Sequence, residues 1–160
     1  MSVKHPIVAI TGSSGAGTST VTKSFDQVFR REKIKAIIVE GDSFHRYDRV
    51  AMKAAMEEAR LQGNHHFSHF GPEANLLEDL AELFKTYGQM GRGKVRKYLH
   101  NAEEAAPHGQ QAGEFTPWED IPADTDLMFY EGLHGAAVTD KANVAQQADL
   151  LVGVVPTINL

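Results

Sequence analysis

A glycine-rich stretch near the start of the chain, GSSGAGTST, has the spacing of a loop that binds phosphate. The motif requires Gly, any four residues, Gly, Lys and then Ser or Thr, because the glycines let successive N–H groups curl around one anion. Gly12, Gly17 and Ser19 occupy their places, but Thr18 stands where lysine is expected. Threonine can donate a hydrogen bond but carries no charge. The stretch therefore predicts a phosphate site whose cation comes from another segment; the alternative is an ordinary glycine turn.

The candidate phosphate-binding residues form one continuous segment: Gly12, Ser13, Ser14, Gly15, Ala16, Gly17, Thr18, Ser19 and Thr20. The Ser19 hydroxyl occupies the motif position that can ligate Mg²⁺. Glu131 closes the apolar run LMFYE, and a carboxylate at the end of a strand beside such a loop commonly holds magnesium, often through water. Ser19 and Glu131 are therefore the candidate metal residues.

The segment EGDSFHRYDR carries the third group of candidates. An alcohol that attacks a phosphoryl group must lose its proton, and a carboxylate within hydrogen-bond reach can take it. Asp42 follows an apolar run and is the candidate base, while His45 and Arg49 have donors suited to an anionic substrate. The alternative is that Asp42 caps the next helix, and that Arg49, Lys53 and Glu57 form an exposed ladder of charges.

The elements that must position these residues follow from the apolar pattern. Short apolar runs predict buried strands at residues 6–11, 36–40, 126–131 and 149–156. Helical spacing predicts helices after the glycine-rich loop, at 49–61 and at about 76–88, and a further helix is predicted around 141–148. Such alternation predicts an α/β fold with a largely parallel sheet, whose ligands bind beyond the carboxyl ends of the strands. Residues 88–118 are predicted to be mostly loop, with room for a short strand or hairpin.

The composition narrows the class of protein. A chain of 160 residues with 42% hydrophobic and 23% charged residues is predicted to be globular, with one sizeable core. A net charge of −5 argues against general nucleic-acid binding, and the absence of cysteine excludes disulfides and thiolate nucleophiles. No apolar run is long enough to cross a membrane, and no signal peptide is recognised, so we expect a cytoplasmic protein.

Charge and histidine clusters leave alternatives open. Residues 85–100 form a basic block and residues 101–126 an acidic one, which could be two solvated loops or an anion site with a neighbouring cover. His65, His66 and His69 crowd one loop, but without cysteine or a helical pair of histidines a zinc site is not favoured. Contacts with sugar hydroxyls or phosphate, or plain exposure to solvent, are the alternatives. His100, at the end of the basic block, and His134, after the Glu131 run, are candidates for substrate contact.

Seven segments together resemble the bacterial-type phosphoribulokinases and related P-loop kinases: TGSSGAGTST, EGDSFHRY, HFGPEAN, RKYLH, FTPW, FYEGLHG and VGVVPTINL. The first motif is shared with uridine kinases, whereas the later ones are more specific to this family. The resemblance implies a P-loop, nucleoside-kinase-like fold, with three α/β/α layers and a mostly parallel sheet. It also implies that residues 1–160 form a single kinase domain, apparently truncated and lacking the C-terminal lid and last strands.

The resemblance further implies transfer of the γ-phosphate of ATP to the 1-hydroxyl of D-ribulose 5-phosphate, with Mg²⁺, in the Calvin cycle. The motif positions make Asp42 the general base and Glu131 the carboxylate on the magnesium side, and the family also has threonine in place of the loop lysine. The substrate candidates are His45, Arg49, Lys53, Tyr98, His100 and His134. Relatives of this type are homo-oligomers that NADH activates and AMP inhibits.

The family pattern continues beyond the last motif, VVPTINL, with a lid that carries Lys, Arg and Asp. The sequence ends at Leu160, before those residues, so we expect a fragment or a truncated product. Two alternatives to a ribulose 5-phosphate kinase stay open. One is a kinase of the same fold for a nucleoside or another sugar, and the other is a catalytically inactive module that binds nucleotide.

Overall fold

A computed structural model describes residues 4–13 and 15–156 of the chain. The elements, in chain order, are β1 (Ile7–Gly12), α1 (Thr18–Glu32), β2 (Ala36–Glu40), α2 (Arg49–Leu61), α3 (Leu77–Met90), β3 (Lys94–Val95), α4 (Ala102–Ala105), β4 (Glu119–Asp120), β5 (Leu127–Gly132) and β6 (Leu150–Val154). Ser14, within the glycine-rich stretch, lies outside the described residues. No helix of the described part is long and apolar enough to cross a membrane.

The main sheet contains the four predicted strands in the order β2-β5-β1-β6, and every neighbouring pair is parallel. The predicted largely parallel sheet is thereby confirmed. The β5 strand lies between β2 and β1, so its residues Leu127–Gly132 are covered on both edges. Because all four strands run the same way, the segments that follow Gly12, Glu40 and Gly132 lie along one edge of the sheet.

Alternating residues of the strands build a core on each face of this sheet. On one face, Phe25 and Phe29 of α1 pack against Phe129, with ring centroids 5.0 and 5.4 Å apart. On the other face, Phe84 of α3 packs against Tyr130, and all four of Phe84, Tyr87, Met128 and Tyr130 are fully buried. Helices therefore cover both faces, which gives the three α/β/α layers expected from the resemblance.

One predicted helix is wrong. Around residues 141–148 the chain forms only a short turn, Ala145–Gln147. The hydroxyl of Thr139 accepts a hydrogen bond from the Ala142 N–H at 3.0 Å, and the Asn143 side chain accepts one from the Gln146 N–H at 3.1 Å. The Thr139 hydroxyl holds residues 139–142 in a turn, which competes with a helix. The Asn143 side chain caps a helical turn, but the chain is extended again at Ala148, so no regular helix forms.

Two of the helix boundaries have clear causes. The α3 helix runs to Met90, past the predicted end near residue 88, because Gly91 adopts the left-handed conformation (φ 64°) that ends it. The α2 helix has the predicted bounds, and its cap is Asp48, whose Oδ1 accepts the Ala51 N–H at 2.7 Å. Asp42 is therefore not the cap of this helix, and its carboxylate is left for another role.

The long segment between α3 and β5 contains the short hairpin-like pairing that the sequence allowed. The β3 and β4 strands form an antiparallel ladder, and Tyr98 makes a further bridge with Phe115. This pairing brings the basic and acidic blocks together, with Lys94 Nζ 3.8 Å from the Asp120 carboxylate. Both of those side chains are exposed to solvent. At this pair, the structure therefore supports two solvated loops rather than an anion site with a cover.

Candidate active site

A cleft of about 470 Å³ opens at the edge where the parallel strands end. Its walls come from five segments that are far apart in sequence, as expected for ligand sites of such sheets. The lining residues are Gly12, Ser13, Gly15, Thr18, Ser19, Glu40, Gly41, Asp42, His45, His69, Phe70, His100, Glu131, Gly132, Leu133 and His134. The cleft thus joins the glycine-rich loop to both predicted catalytic carboxylates.

The glycine-rich loop forms one wall of the cleft. Gly15 and Gly17 have φ angles of 81° and 94°, a region in which side chains are strained, so glycine is required at both places. The α1 helix begins directly after them at Thr18 and has no acidic residue in its first turn, which leaves its positive end available to an anion. Of the nine predicted phosphate residues, the cleft is lined by Gly12, Ser13, Gly15, Thr18 and Ser19, but not by Ala16, Gly17 or Thr20.

Two glycines bring the ends of β2 and β5 into contact. A Cβ atom on Gly41 would lie 2.6 Å from the Tyr130 hydroxyl, and one on Gly132 would lie 2.7 Å from the Gly41 Cα. Neither position can therefore carry a side chain without moving backbone or a buried ring. The close approach places the Asp42 segment next to that of Glu131, so the two predicted catalytic residues share one cleft.

Asp42 lies between two imidazoles. Its Oδ1 is 3.3 Å from His45 Nε2, and its Oδ2 is 3.7 Å from His100 Nε2. The hydrogen bond from His45 lowers the pKa of Asp42, and this effect outweighs the desolvation that acts in the opposite direction. The carboxylate is ionised at neutral pH and, with 52% of the side chain exposed, accessible from the cleft. It can therefore accept a proton from a bound hydroxyl.

A third carboxylate, Glu40, was missed by the sequence reasoning. It pairs in register with Glu131 on the adjacent strand, and both line the cleft. Burial raises the pKa of Glu40, and the charges of Glu131 and Asp42 raise it further, while His100 opposes them. The signal was present, because Glu40 ends an apolar strand just as Glu131 does.

The candidate ligands in the cleft suit Mg²⁺, which keeps part of its water shell, better than a metal ion held only by protein side chains. Within the described residues no three His, Asp or Glu side chains form a ready metal site. Magnesium keeps several waters and usually takes one or two carboxylates together with phosphate oxygens. Glu131 and the Ser19 hydroxyl, which line the same cleft, match that requirement, and Glu40 adds negative charge nearby.

A smaller cleft of about 230 Å³ adjoins the first and shares His45 and His69 with it. Arg49 and Tyr98 line it, as the sequence predicted for substrate residues. The Arg49 guanidinium donates to the backbone oxygen of His100 at 2.9 Å, which ties the start of α2 to the segment after β3. Asp48 lines it too, with its Oδ1 occupied by the Ala51 N–H. The two clefts together have the form of a reaction site with a neighbouring subsite that contains one guanidinium.

The remaining predicted residues divide between the cleft and the surface. His134 lines the main cleft, its Nε2 lies 3.0 Å from the Phe70 oxygen, and burial lowers its pKa. Lys53 is exposed on α2 and lines neither cleft, so the structure does not bring it to the site. Nor does Lys53 pair with Glu57, whose partner is Arg60 at 2.6 Å. His69, a loop histidine for which contact with substrate was one of the open alternatives, lines both clefts.

Arg96 supports the Asp42 segment from behind. Its Nε donates to the Ser43 oxygen at 2.8 Å, and its Nη2 donates to the His45 oxygen at 2.7 Å. The guanidinium lies 3.7 Å from the centre of the Phe115 ring and 4.6 Å from that of Trp118. Burial lowers the pKa of Arg96, while the charge of Asp79 opposes that shift. The guanidinium of Arg96 therefore binds backbone carbonyl oxygens, and it is not available to bind substrate.

We predict that Arg96→Met lowers the free energy of unfolding by about 1.5–3 kcal/mol, because two carbonyl oxygens lose a charged donor and two rings lose a cation. The measurement is urea unfolding followed by the fluorescence of Trp118, the single tryptophan. Lys94→Met is the matched control, since Lys94 lies two residues earlier and is exposed. We expect it to change stability by less than about 0.5 kcal/mol. Equal effects of the two variants would contradict the role of Arg96.

The fold and the cleft together can be compared with known proteins. The sequence profile of the "Phosphoribulokinase / Uridine kinase family" matches residues 7–160. The chain belongs to this family. A plasmid-encoded phosphoribulokinase of Cupriavidus necator is 62% identical over 160 residues, which is 100% of this chain and 55% of the relative. "Phosphoribulokinase 1" of Cereibacter sphaeroides is 54% identical over the same share of each chain.

Solved structures agree with this assignment. A phosphoribulokinase from Rhodobacter spheroides matches with a TM-score of 0.86 and 49% sequence identity, over 98% of this chain and 53% of that one. A possible uridine kinase from Bacillus stearothermophilus matches with a TM-score of 0.62 at 14% identity, over 96% of this chain and 72% of that one, and this likeness concerns the fold alone. The chain spans about half the length of the curated relatives it matches.

Proposed function

We propose that this chain contains the nucleotide loop and the catalytic base of an ATP-dependent kinase that phosphorylates the 1-hydroxyl of D-ribulose 5-phosphate. The observation that carries the proposal is that Asp42, held between His45 and His100, lines the same cleft as the glycine-rich loop. Phosphoryl transfer requires a nucleotide phosphate and an acceptor hydroxyl in line with each other, and this cleft offers a site for each.

Asp42 accepts the proton of the attacking hydroxyl. A general base works when it is ionised before the reaction, and the lowered pKa of Asp42 meets that condition at neutral pH. His45 and His100 orient the carboxylate from its two oxygens, so it does not need to reorganise during the transfer. His134, whose pKa burial lowers, stays neutral and adds a polar wall.

The glycine-rich loop and the first turn of α1 hold the phosphates through backbone N–H groups. Ser19 and Glu131 would hold Mg²⁺, which, when bound, neutralises the charge that develops on the phosphoryl oxygens. No lysine or arginine lines the main cleft among the described residues. With Thr18 in the lysine position, the cation for the transferred phosphate must come from a segment outside this lining.

The smaller cleft supports a phosphorylated acceptor rather than a bare nucleoside. Arg49 is its cation, and His45 and Tyr98 add polar groups on either side. A guanidinium suits a phosphate group because it offers paired donors in one plane. We therefore assign the 5-phosphate of the sugar to this cleft and the 1-hydroxyl to the side of Asp42.

The test uses the complete product of the gene with ATP and Mg²⁺. ADP release is followed with D-ribulose 5-phosphate, D-ribulose, uridine and D-fructose 6-phosphate as acceptors. We expect turnover with D-ribulose 5-phosphate, at least about 100-fold less with unphosphorylated D-ribulose because the phosphate contacts are lost, and none with uridine. Turnover with uridine alone would overturn the substrate assignment. Calorimetry that detects ATP·Mg²⁺ binding without any turnover would favour an inactive nucleotide-binding module.

The assembly and its regulation belong to the same proposal. We propose a homo-oligomer that responds to NADH and AMP, on the support of the family membership alone. Sedimentation of the gene product with and without each nucleotide, combined with the ADP assay, tests both parts. A monomer whose rate does not change with either nucleotide would contradict the proposed assembly and regulation, but it would not affect the proposed reaction.

A further inference from the structure

Asn75 is a buried amide, only 2% exposed, that contacts His45 behind the cleft. Its Nδ2 donates to two backbone oxygens, that of His69 at 2.8 Å and that of Gly71 at 2.7 Å. Both amide protons are thereby used, and a flipped amide would turn its oxygen toward two carbonyl oxygens. The orientation of the Asn75 side chain is therefore fixed by the backbone around it.

The fixed amide determines which ring nitrogen of His45 carries a proton. Asn75 Oδ1 lies 2.8 Å from His45 Nδ1, and an oxygen at that distance must receive a hydrogen. His45 Nδ1 is thus the donor. The other nitrogen, Nε2, faces the Asp42 carboxylate at 3.3 Å. A neutral imidazole has one N–H and would leave either Asn75 or Asp42 opposite a lone pair, whereas the imidazolium satisfies both.

We propose that Asn75 is a positioning residue that holds His45 as an Nδ1–H donor and directs its second proton, on Nε2, at Asp42. In this arrangement His45 carries a positive charge beside the base and does not compete for the substrate proton. Asn75 itself lines neither cleft, and it acts through His45, which lines both. Its effect on the reaction rests on the proposed function, but the state of the imidazole does not.

The other groups around His45 act in both directions. Burial lowers its pKa, and the nearby charge of Arg96 does the same. The hydrogen bonds to Asp42 and Asn75, together with the charge of Asp42, outweigh them, so the pKa of His45 is raised. The rings of His69 and Tyr98 stand edge-on at 6.3 and 6.1 Å, and His134 faces the same carboxylate. His45 therefore keeps its charge to a higher pH than an exposed histidine does.

The state of the ring can be measured directly by NMR. Long-range ¹H–¹⁵N correlation spectra of the ¹⁵N-labelled chain, recorded over a pH series, report the tautomer and the pKa of each of the eight histidines. The signals of His45 are those that disappear in His45→Gln. We expect the raised pKa and, above it, retention of the proton on Nδ1. A neutral His45 protonated on Nε2 in the unsubstituted chain would overturn the proposal.

Two substitutions of Asn75 separate positioning from simple structural damage. Asn75→Ala removes the acceptor, so the pKa of His45 should fall and the Nδ1–H preference should be lost. Asn75→Asp keeps an acceptor at the same place and adds a negative charge, so the pKa should rise. Both variants disrupt the loop at residues 69–71 and both should lower the thermal midpoint. Shifts of the same sign in the two variants would show a structural role alone and sink the proposal.

An internal control comes from an exposed histidine elsewhere on the chain. His108 is exposed and lies outside the loop that Asn75 holds, so its NMR signals should stay in place in both variants. In the ADP assay, Asn75→Ala should lower kcat with little change in KM for ATP, and Asn75→Asp should recover part of that loss. If the NMR shifts have opposite signs but no ribulose 5-phosphate is turned over, the proposed function fails while the positioning role stands.

Discussion

Replacing Asp42 by asparagine is expected to lower the rate of ribulose 5-phosphate phosphorylation by about 10²- to 10⁴-fold, the usual contribution of a positioned general base. The amide has the same size, and its oxygen can still accept from His45 Nε2, so the local geometry is kept. What is lost is the ability to take a proton from the attacking hydroxyl. Binding of ATP·Mg²⁺ should be unchanged, because the glycine-rich loop and Ser19 form a different wall of the cleft.

The measurement pairs kcat from ADP release with calorimetry of ATP·Mg²⁺. The matched control is Asp124→Asn, which also removes one carboxylate. Asp124 lies just before β5, at the amino ends of the strands, where it pairs with Lys35 at 2.6 Å and is 69% exposed. We expect the control to retain its rate within about twofold. If Asp42→Asn kept more than a tenth of the rate, Asp42 would not be the general base.

Replacing Phe129 by alanine is expected to reduce the free energy of unfolding by about 3–5 kcal/mol, the cost of removing a large ring from a packed core. Phe129 is fully buried in β5 and packs against Phe25 and Phe29 of α1, where three rings meet at 5.0 to 5.8 Å. Small domains are stable by only about 5–15 kcal/mol, so the variant should lose a large part of its margin.

The effect should extend to nucleotide binding, because α1 begins at the glycine-rich loop and those three rings hold it to the sheet. Urea unfolding followed through Trp118 gives the stability, and calorimetry gives the affinity for ATP·Mg²⁺. Leu61→Ala serves as the control, since Leu61 ends α2 and is 74% exposed, so a change below about 0.5 kcal/mol is expected. A Phe129→Ala chain within 1 kcal/mol of the unsubstituted one would mean that this cluster does not secure α1.

The pattern of apolar residues was sufficient to predict the four strands of the main sheet and the residues at their carboxyl ends. A short, uncharged and β-branched run such as IVAIT favours a strand covered on both faces. In a parallel sheet, the residue that follows such a strand lies at the edge where ligands bind. That is why the sequence alone could place Asp42 and Glu131 at this edge, and why it could have placed Glu40 there too. Lys53 was assigned through motif resemblance alone, and its position on the exposed side of α2 is the one substrate assignment that the clefts do not support.

Features that depend on contacts between distant segments could not be predicted in this way. Apolar periodicity does not specify that β5 is inserted between β2 and β1, since any order would bury the same residues. The orientation of Asn75 depends on carbonyl oxygens that only the folded loop brings together. The helix expected around residues 141–148 is replaced by a short turn, because local side-chain hydrogen bonds set the backbone there and these bonds are not visible in the pattern of apolar residues.

The position of β5 also sets the time at which the site can exist during synthesis. The glycine-rich loop and Asp42 leave the ribosome early, but β1 and β2 are not neighbours in the sheet and both pair with β5, where Ile7 meets Met128. Translation of the intervening chain takes on the order of ten seconds. For that period β1 and β2 lack the strand that lies between them, and Phe25 and Phe29 lack Phe129, so the nascent chain presents apolar surface until Leu127–Gly132 emerges.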